Sequence, residues 1–214
     1  MILDDAIADD LRALGFETTR YIMGPPDAPW TDFFLPTNPD WHFLRLKYKF
    51  DFEKRTCEIG NIDVHPDYRS GRGIGRTVIQ RISRTAIDHD IQRIKLKGII
   101  GDGFTFWPRL GAIPVEDCTA PFRRALFNVV ARGHSYTRQD VASLSQAKER
   151  LRSGASINEL WRSLSAKPEH GGLTNRCLSR ISKETLGLHE NMTLRLKDPV
   201  VLTRLGLTPR SEGS

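Results

Sequence analysis

Apolar and charged residues alternate from Leu44 to Phe50 (Leu-Arg-Leu-Lys-Tyr-Lys-Phe), the period of a half-buried strand. Asp51-Phe-Glu-Lys54 then turns the chain into a second extended run, Thr56–Val64, and the two runs read as an antiparallel hairpin. After Val64 the period changes. Val78, Ile79, Ile82 and Ala86 fall on one side of a helix, and Ile94–Ile100 returns as a strand. Strand, glycine-rich loop, helix and strand follow one another as in a right-handed crossover. Upstream, Asp4 and Asp5 in a first turn and Gly15 at the end predict a short helix. The Pro- and Asp-rich residues 24–40 read as loop around a brief strand at Thr31–Leu35. Beyond Pro114 the pattern is of short basic helices: one begins at Thr137–Asp140, one at the capping box Ser156–Glu159, and one lies within Leu173–Leu186. Met192–Leu196 is a last strand candidate, and Asp198-Pro199 opens a terminal helix that stops at Gly206.

Composition adds that this pattern belongs to a globular chain. Of its 214 residues 39% are hydrophobic and 27% charged, enough for a buried core and unlike a disordered or fibrous sequence. No run approaches the roughly 18 apolar residues of a membrane helix. The acidic opening MILDDAIADD is unlike a targeting peptide, so a cytoplasmic protein is expected. The cysteines, Cys57, Cys118 and Cys177, are odd in number and lack C-x-x-C spacing, which predicts reduced thiols. His42, His89, His134, His170 and His189 show no ligand spacing, and no metal is expected. Net charge is +6, and its distribution is uneven: residues 120–214 hold 16 Lys/Arg against 8 Asp/Glu. This basic half reads either as solvated helix faces or as a surface for an acidic partner, with nucleic acid first among the candidates.

The alternate glycines Gly71, Gly73 and Gly75 stand between a strand and a helix, where close approach of a ligand to the backbone rewards the lack of a side chain. Helix N-terminal amides, with Arg72 and Arg76 beside them, suit a phosphate. The spacing G-x-G-x-G does not fit the dinucleotide fingerprint, and Gly75-Arg76-Thr77 lacks the lysine of a nucleoside-triphosphate loop.

Ile62-Asp-Val-His-Pro-Asp-Tyr-Arg-Ser-Gly-Arg-Gly-Ile-Gly-Arg-Thr77 closely resembles the coenzyme A loop of the GNAT acetyltransferase superfamily, and Gly103-Phe-Thr-Phe-Trp-Pro-Arg-Leu-Gly-Ala-Ile-Pro114 resembles that family's later aromatic segment. The two lie in the family's order and cover residues 55–115. The resemblance implies a mixed α/β (α+β) fold: a splayed sheet flanked by helices, carrying a largely helical basic insertion or C-terminal extension. It also implies transfer of an acetyl or related acyl group from acyl-coenzyme A to an amine, directly, in a ternary complex. In it the backbone of Ile62 and Val64 would pair with pantetheine, and Gly71, Arg72, Gly73, Ile74, Gly75, Arg76 and Thr77 would hold the pyrophosphate. Trp107 stands where many members place the tyrosine that protonates the departing thiolate, and Ser70 stands where they place Gln or Arg. Glu58 falls where the histone-acetylating branch carries its general base; Asp63 and His65 are second choices. A solvated position on the hairpin is the other reading of Glu58.

The expected organisation is an acyl-coenzyme A-binding core over 1–115, a basic helical insertion or subdomain over 116–189, and a last strand, helix and tail over 190–214. Two functions follow: an N-acyltransferase acting on a protein, RNA-linked or small amine, or a non-catalytic binding module of the same fold that holds an acidic partner through its basic helices.

Overall fold

The computed structural model describes residues 3–27, 29–68, 73–99, 101–115, 118–131, 136–187 and 191–207. The chain divides into two units, Met1–Lys97 with Arg195–Ser214, and Gly98–Leu194.

The first unit is built on a mixed sheet of β1 (Thr19–Met23), β2 (Trp30–Leu35), β3 (Asn38–Asp51), β4 (Thr56–Val64) and β5 (Arg93–Leu96), in that spatial order. Strands β1 to β4 are antiparallel neighbours, and β5 joins β4 in parallel. The Leu44–Phe50 alternation does what its period requires. Leu44 and Leu46 are fully buried on one face with Phe33 of β2, Cys57 and Ile59 of β4, and Ile94 and Leu96 of β5. Helices α1 (Leu3–Ala13) and α2 (Ile74–Asp88) pack on one another, and α2 packs on β4. Ile7 and Leu11 of α1, and Val78, Ile79, Ile82 and Ala86 of α2, are fully buried.

Asp4 ties α1 to the sheet. Its carboxylate accepts hydrogen bonds from Thr31 Oγ1 at 2.8 Å and Tyr48 Oη at 2.9 Å, with Arg20 at 3.8 Å. Burial, and then the adjacent Asp4 charge, push the Tyr48 phenol above its ordinary value, so it stays a neutral donor. Burial also pushes the Cys57 and Cys177 thiols up to about 12, which keeps both protonated.

Two extended segments differ from expectation. Within the 24–40 stretch the strand expected at Thr31–Leu35 is present as β2, Trp30–Leu35, but β3 starts earlier than expected, at Asn38. The strand expected over Ile94–Ile100 ends at Leu96, where Gly98 takes a φ of 61° that extended backbone does not allow. The unit is completed from the far end of the chain by α8 (Pro199–Leu205), which packs on α2.

The second unit holds α3 (Gly103–Arg109), α4 (Thr119–Ala131), α5 (Arg138–Arg152), α6 (Ile157–Leu164) and α7 (Asn175–Leu186), with the antiparallel pair β6 (Ile113–Pro114) and β7 (Met192–Arg195). Both capping boxes form: Thr137 with Asp140 opens α5, and Ser156 with Glu159 opens α6. The buried Asp140 carboxylate also accepts from Thr174, at 2.7 Å from N and 3.0 Å from Oγ1, so one side chain joins the caps of α5 and α7. Arg109 donates to the carbonyls of Ser165, Ala166 and Leu173 and to Asn175 Oδ1. Its guanidinium thereby satisfies the backbone of the 165–175 connection. None of the helices among the described residues is long and apolar enough to cross a membrane.

Candidate functional site

The parallel ladder between β4 and β5 is short. Thr56 to Ile59 pair with Arg93 to Leu96, Lys97 N donates to Ile59 O at 3.2 Å, and β4 then runs on as Gly60–Val64 with no β5 residue in register. On its other side β4 keeps its antiparallel partner β3, with one interruption: Lys47 pairs with Asn61 and Tyr48 with Ile59, so Gly60 is the extra residue of a β-bulge. A bulge bends its strand and increases the local twist, which is how a sheet opens along one ladder while the next stays closed. Ile62 and Val64, the residues expected to meet pantetheine, lie in this opened stretch, opposite Leu46 and Leu44.

Beyond Val64 the chain makes a short 3-10 turn at Pro66–Tyr68. Tyr68 packs edge-on against Phe43 and Phe16, with ring centroids 5.2 and 6.0 Å away, which anchors the exit from β4. Gly71 and Arg72 lie outside the described residues. Gly73 is the N-cap of α2, with φ 71° and no side-chain cap, and among the described residues a Cβ placed there would meet nothing within 4 Å. The first amides of α2, those of Ile74, Gly75 and Arg76, have no helical acceptor. With the positive end of a helix of 15 residues behind them they suit an anion, for which they would form a cradle.

Ile74 is buried beneath the cradle, whereas Gly75 and Thr77 are half-buried. Thr77 lines a cleft of about 290 Å³ with Asp10, Gln80, Arg81, Arg84 and Leu207. Arg76 is engaged elsewhere, since its guanidinium donates to the Arg204 carbonyl at 2.7 Å while Gln80 donates to that of Leu205. The first turns of α2 therefore cap the end of α8.

Glu58 and Asp63 share the sheet face opposite α1 and α2. Glu58 lies between Lys49 and Lys95 in register, and its carboxylate holds Lys97 Nζ at 2.8 Å, beside the point where β4 and β5 part. Asp63 is paired with His42, Nε2 to Oδ2 3.3 Å, and lies opposite Arg45. Arg45 in turn makes a two-pronged pair with the buried Asp32, both contacts 2.7 Å. Burial alone would raise the Asp32 carboxyl, but hydrogen bonds and charge from Arg45, with Trp30 Nε1 at 3.3 Å, hold it below its ordinary value.

His65 sits at the start of the 3-10 turn, and its Nδ1 accepts from the Asp67 amide at 3.4 Å. The same nitrogen lies 3.6 Å from the Asp67 carboxylate. Trp107 lies in the second unit, buried in α3, with its ring edge-on to Phe106 at 4.9 Å. The sequence reading passed over His42. Its partner is 21 positions away, and neither a ligand spacing nor a motif marks it.

Residues 37–101 match the model of the acetyltransferase (GNAT) family, which places this segment of the chain in the GNAT superfamily. The mixed α/β architecture, with helices against a mixed sheet, agrees with that assignment. No curated protein matches the chain. Among solved structures, a nourseothricin acetyltransferase is similar at 14% identity and a TM-score of 0.28, over 39% of this chain and 60% of that one; the chain thus spans less than two thirds of that structure.

Proposed function

We propose that the protein is an N-acyltransferase that moves an acetyl or related acyl group from acyl-coenzyme A to an amine. One observation carries the reading: the β4–β5 ladder ends at Ile59, and β4 continues as an opened strand that leads to the uncapped, left-handed Gly73 and the free amides of α2. An extended arm pairs naturally with an open strand edge, and a pyrophosphate with helix N-terminal amides. Ile62 and Val64 hold the arm, while Gly73, Ile74, Gly75 and the backbone of Arg76 hold the pyrophosphate, with Gly71, Arg72 and Thr77 beside them.

In the transfer the acceptor loses a proton, its nitrogen lone pair attacks the thioester carbonyl, the C–N bond forms and the C–S bond breaks. The electron pair leaves on sulfur, which takes up the nitrogen's second proton. Glu58 takes the first proton. It lies beside the opening, and the Lys97 ammonium that it holds gives way to the acceptor amine. The buried thiols of Cys57 and Cys177 offer no thiolate nucleophile, which favours direct transfer over a covalent intermediate on either.

Calorimetric titration of acetyl-coenzyme A tests the donor site: wild type binds and Gly73→Val does not. Equal affinity in the two proteins overturns the assignment. A second reading, a non-catalytic module of the same fold, is favoured by Trp107. An indole is no acid for a thiolate, and this ring is buried within α3 packing. Release of free thiol in the presence of mixed amines separates the two.

A further inference from the structure

The sheet face that carries Glu58 is strongly and regularly basic. Lys47 and Lys49 of β3, Arg93 and Lys95 of β5 and Lys97 just beyond it all share that face, and all are exposed. The register fixes their arrangement: Lys49 and Lys95 flank Glu58 on either side of β4, Lys47 lies beside Asn61, and Arg93 beside Thr56. Successive same-face residues are about 6.7 Å apart along a strand, and positions two strands apart are separated by about 9.5 Å. The acidic groups on this face are already matched: Asp32 by Arg45, Glu58 by Lys97, Asp51 by Lys54 and Asp63 by His42. Among the described residues no carboxylate forms an ion pair with Lys47, Lys49, Arg93 or Lys95.

Four cations that lack an ion-pair partner among the described residues stand on β3 and β5, on either side of β4, and repel one another, while the apolar side chains of these strands are buried on the opposite face. The fold gains nothing from their charge. An array spaced by the strand repeat complements a partner whose negative charges also repeat regularly, as phosphates do along a nucleic-acid backbone. The carboxylates of a folded acidic protein are set by its own fold and carry no such period. We infer that this sheet face binds a nucleic-acid strand through its phosphates, with Lys47, Lys49, Arg93 and Lys95 as the contacts. The surface stands independently of the acyl-donor reading. A strand lying across β3, β4 and β5 passes over Glu58.

The test is binding of a short fluorescein-labelled single-stranded RNA to the full-length protein at a series of salt concentrations, followed by anisotropy. Four phosphate contacts give log affinity a slope of about −3 against log salt. Lys49→Gln/Lys95→Gln lowers affinity by about tenfold or more at low salt and flattens the slope by one to two, since each phosphate contact contributes about one. Arg123→Gln/Arg124→Gln, on the exposed face of α4, leaves both unchanged. An unaltered thermal midpoint and unaltered acetyl-coenzyme A calorimetry in the sheet variant show that its loss is local; Lys47→Gln/Arg93→Gln gives the same readout should the first pair misfold. Failure of wild type to bind RNA at low salt overturns the inference. So does loss confined to the α4 variant, and so does displacement of RNA by poly-glutamate at equal charge concentration.

Discussion

The Glu58 carboxylate holds the Lys97 ammonium at 2.8 Å, one residue before the last rung of the β4–β5 ladder. Both side chains are about half exposed, so the pair adds little to folding. Lys97→Gln is expected to change stability by less than about 1 kcal/mol in a urea melt. Glu58→Gln is expected to slow acyl transfer by about 10²–10⁴ with donor affinity intact, the scale of a lost general base. Thiol-release kinetics alongside calorimetry check both, and an unchanged rate in Glu58→Gln moves the proton to the His42–Asp63 pair or to water.

Gly73 and Arg76 separate backbone from side-chain binding. The open space at Gly73 lets a valine fold at a cost of about 1–2 kcal/mol for its positive φ, yet fills the cradle. Arg76→Ala loses the bond to the Arg204 carbonyl and is expected to lower the thermal midpoint by a few degrees, with about 1 kcal/mol of stability lost. Its acetyl-coenzyme A affinity is expected to fall far less than that of Gly73→Val. Parallel melts and titrations decide this.

The Asp32–Arg45 pair makes an acid-labile contribution. Because the folded carboxyl is held below its ordinary value, the unfolded chain takes up the proton first as pH falls. The contribution is therefore complete above about pH 4 and is lost as pH falls further. Asp32→Asn is expected to be less stable at neutral pH, by about 1–3 kcal/mol, and to show a flatter acid limb. Urea midpoints across the acid range measure both.

Gly172 lies where a Cβ would collide with the Ala166 carbonyl, a backbone group that cannot rotate away. Gly172→Ala is expected to destabilise the second unit by several kcal/mol or to prevent its folding, comparable with the largest single-residue effects. Gly154→Ala, at a positive φ of 90° in open space, is expected to cost only about 1 kcal/mol. Denaturant melts of the two variants make the comparison.

Local chemistry accounts for what could be read from the chain. The Thr137–Asp140 and Ser156–Glu159 caps are settled within three residues, and the hairpin by alternation around Asp51–Lys54. Strand β1 had no such mark: Tyr21, Ile22 and Met23 are exposed, so its side chains carry no inside–outside period, and pairing with β2 alone defines it. The glycine loop marks itself in the sequence as a candidate anion site, and of its described residues Gly73 takes the left-handed backbone that glycine favours. The bulge at Gly60 and the His42–Asp63 contact were not legible, because each arises from register between distant strands. Arg76 read as a phosphate ligand from its position, and its engagement with α8 depends on a helix 128 residues away.

The docking of α8 on α2 bears on how the molecule is made. A chain emerging from the ribosome exposes α1, the sheet and α2 first, but the surface of α2 around Arg76 and Gln80 has no Arg204 or Leu205 carbonyl to meet until the whole of Gly98–Leu194 has been synthesised. Closing a flexible connection of that length costs about 4 kcal/mol. Collapse of the helical unit during translation shortens the flexible part and lowers that cost. The first turns of α2, next to Gly73, thus reach their final surroundings only after α8 has been made.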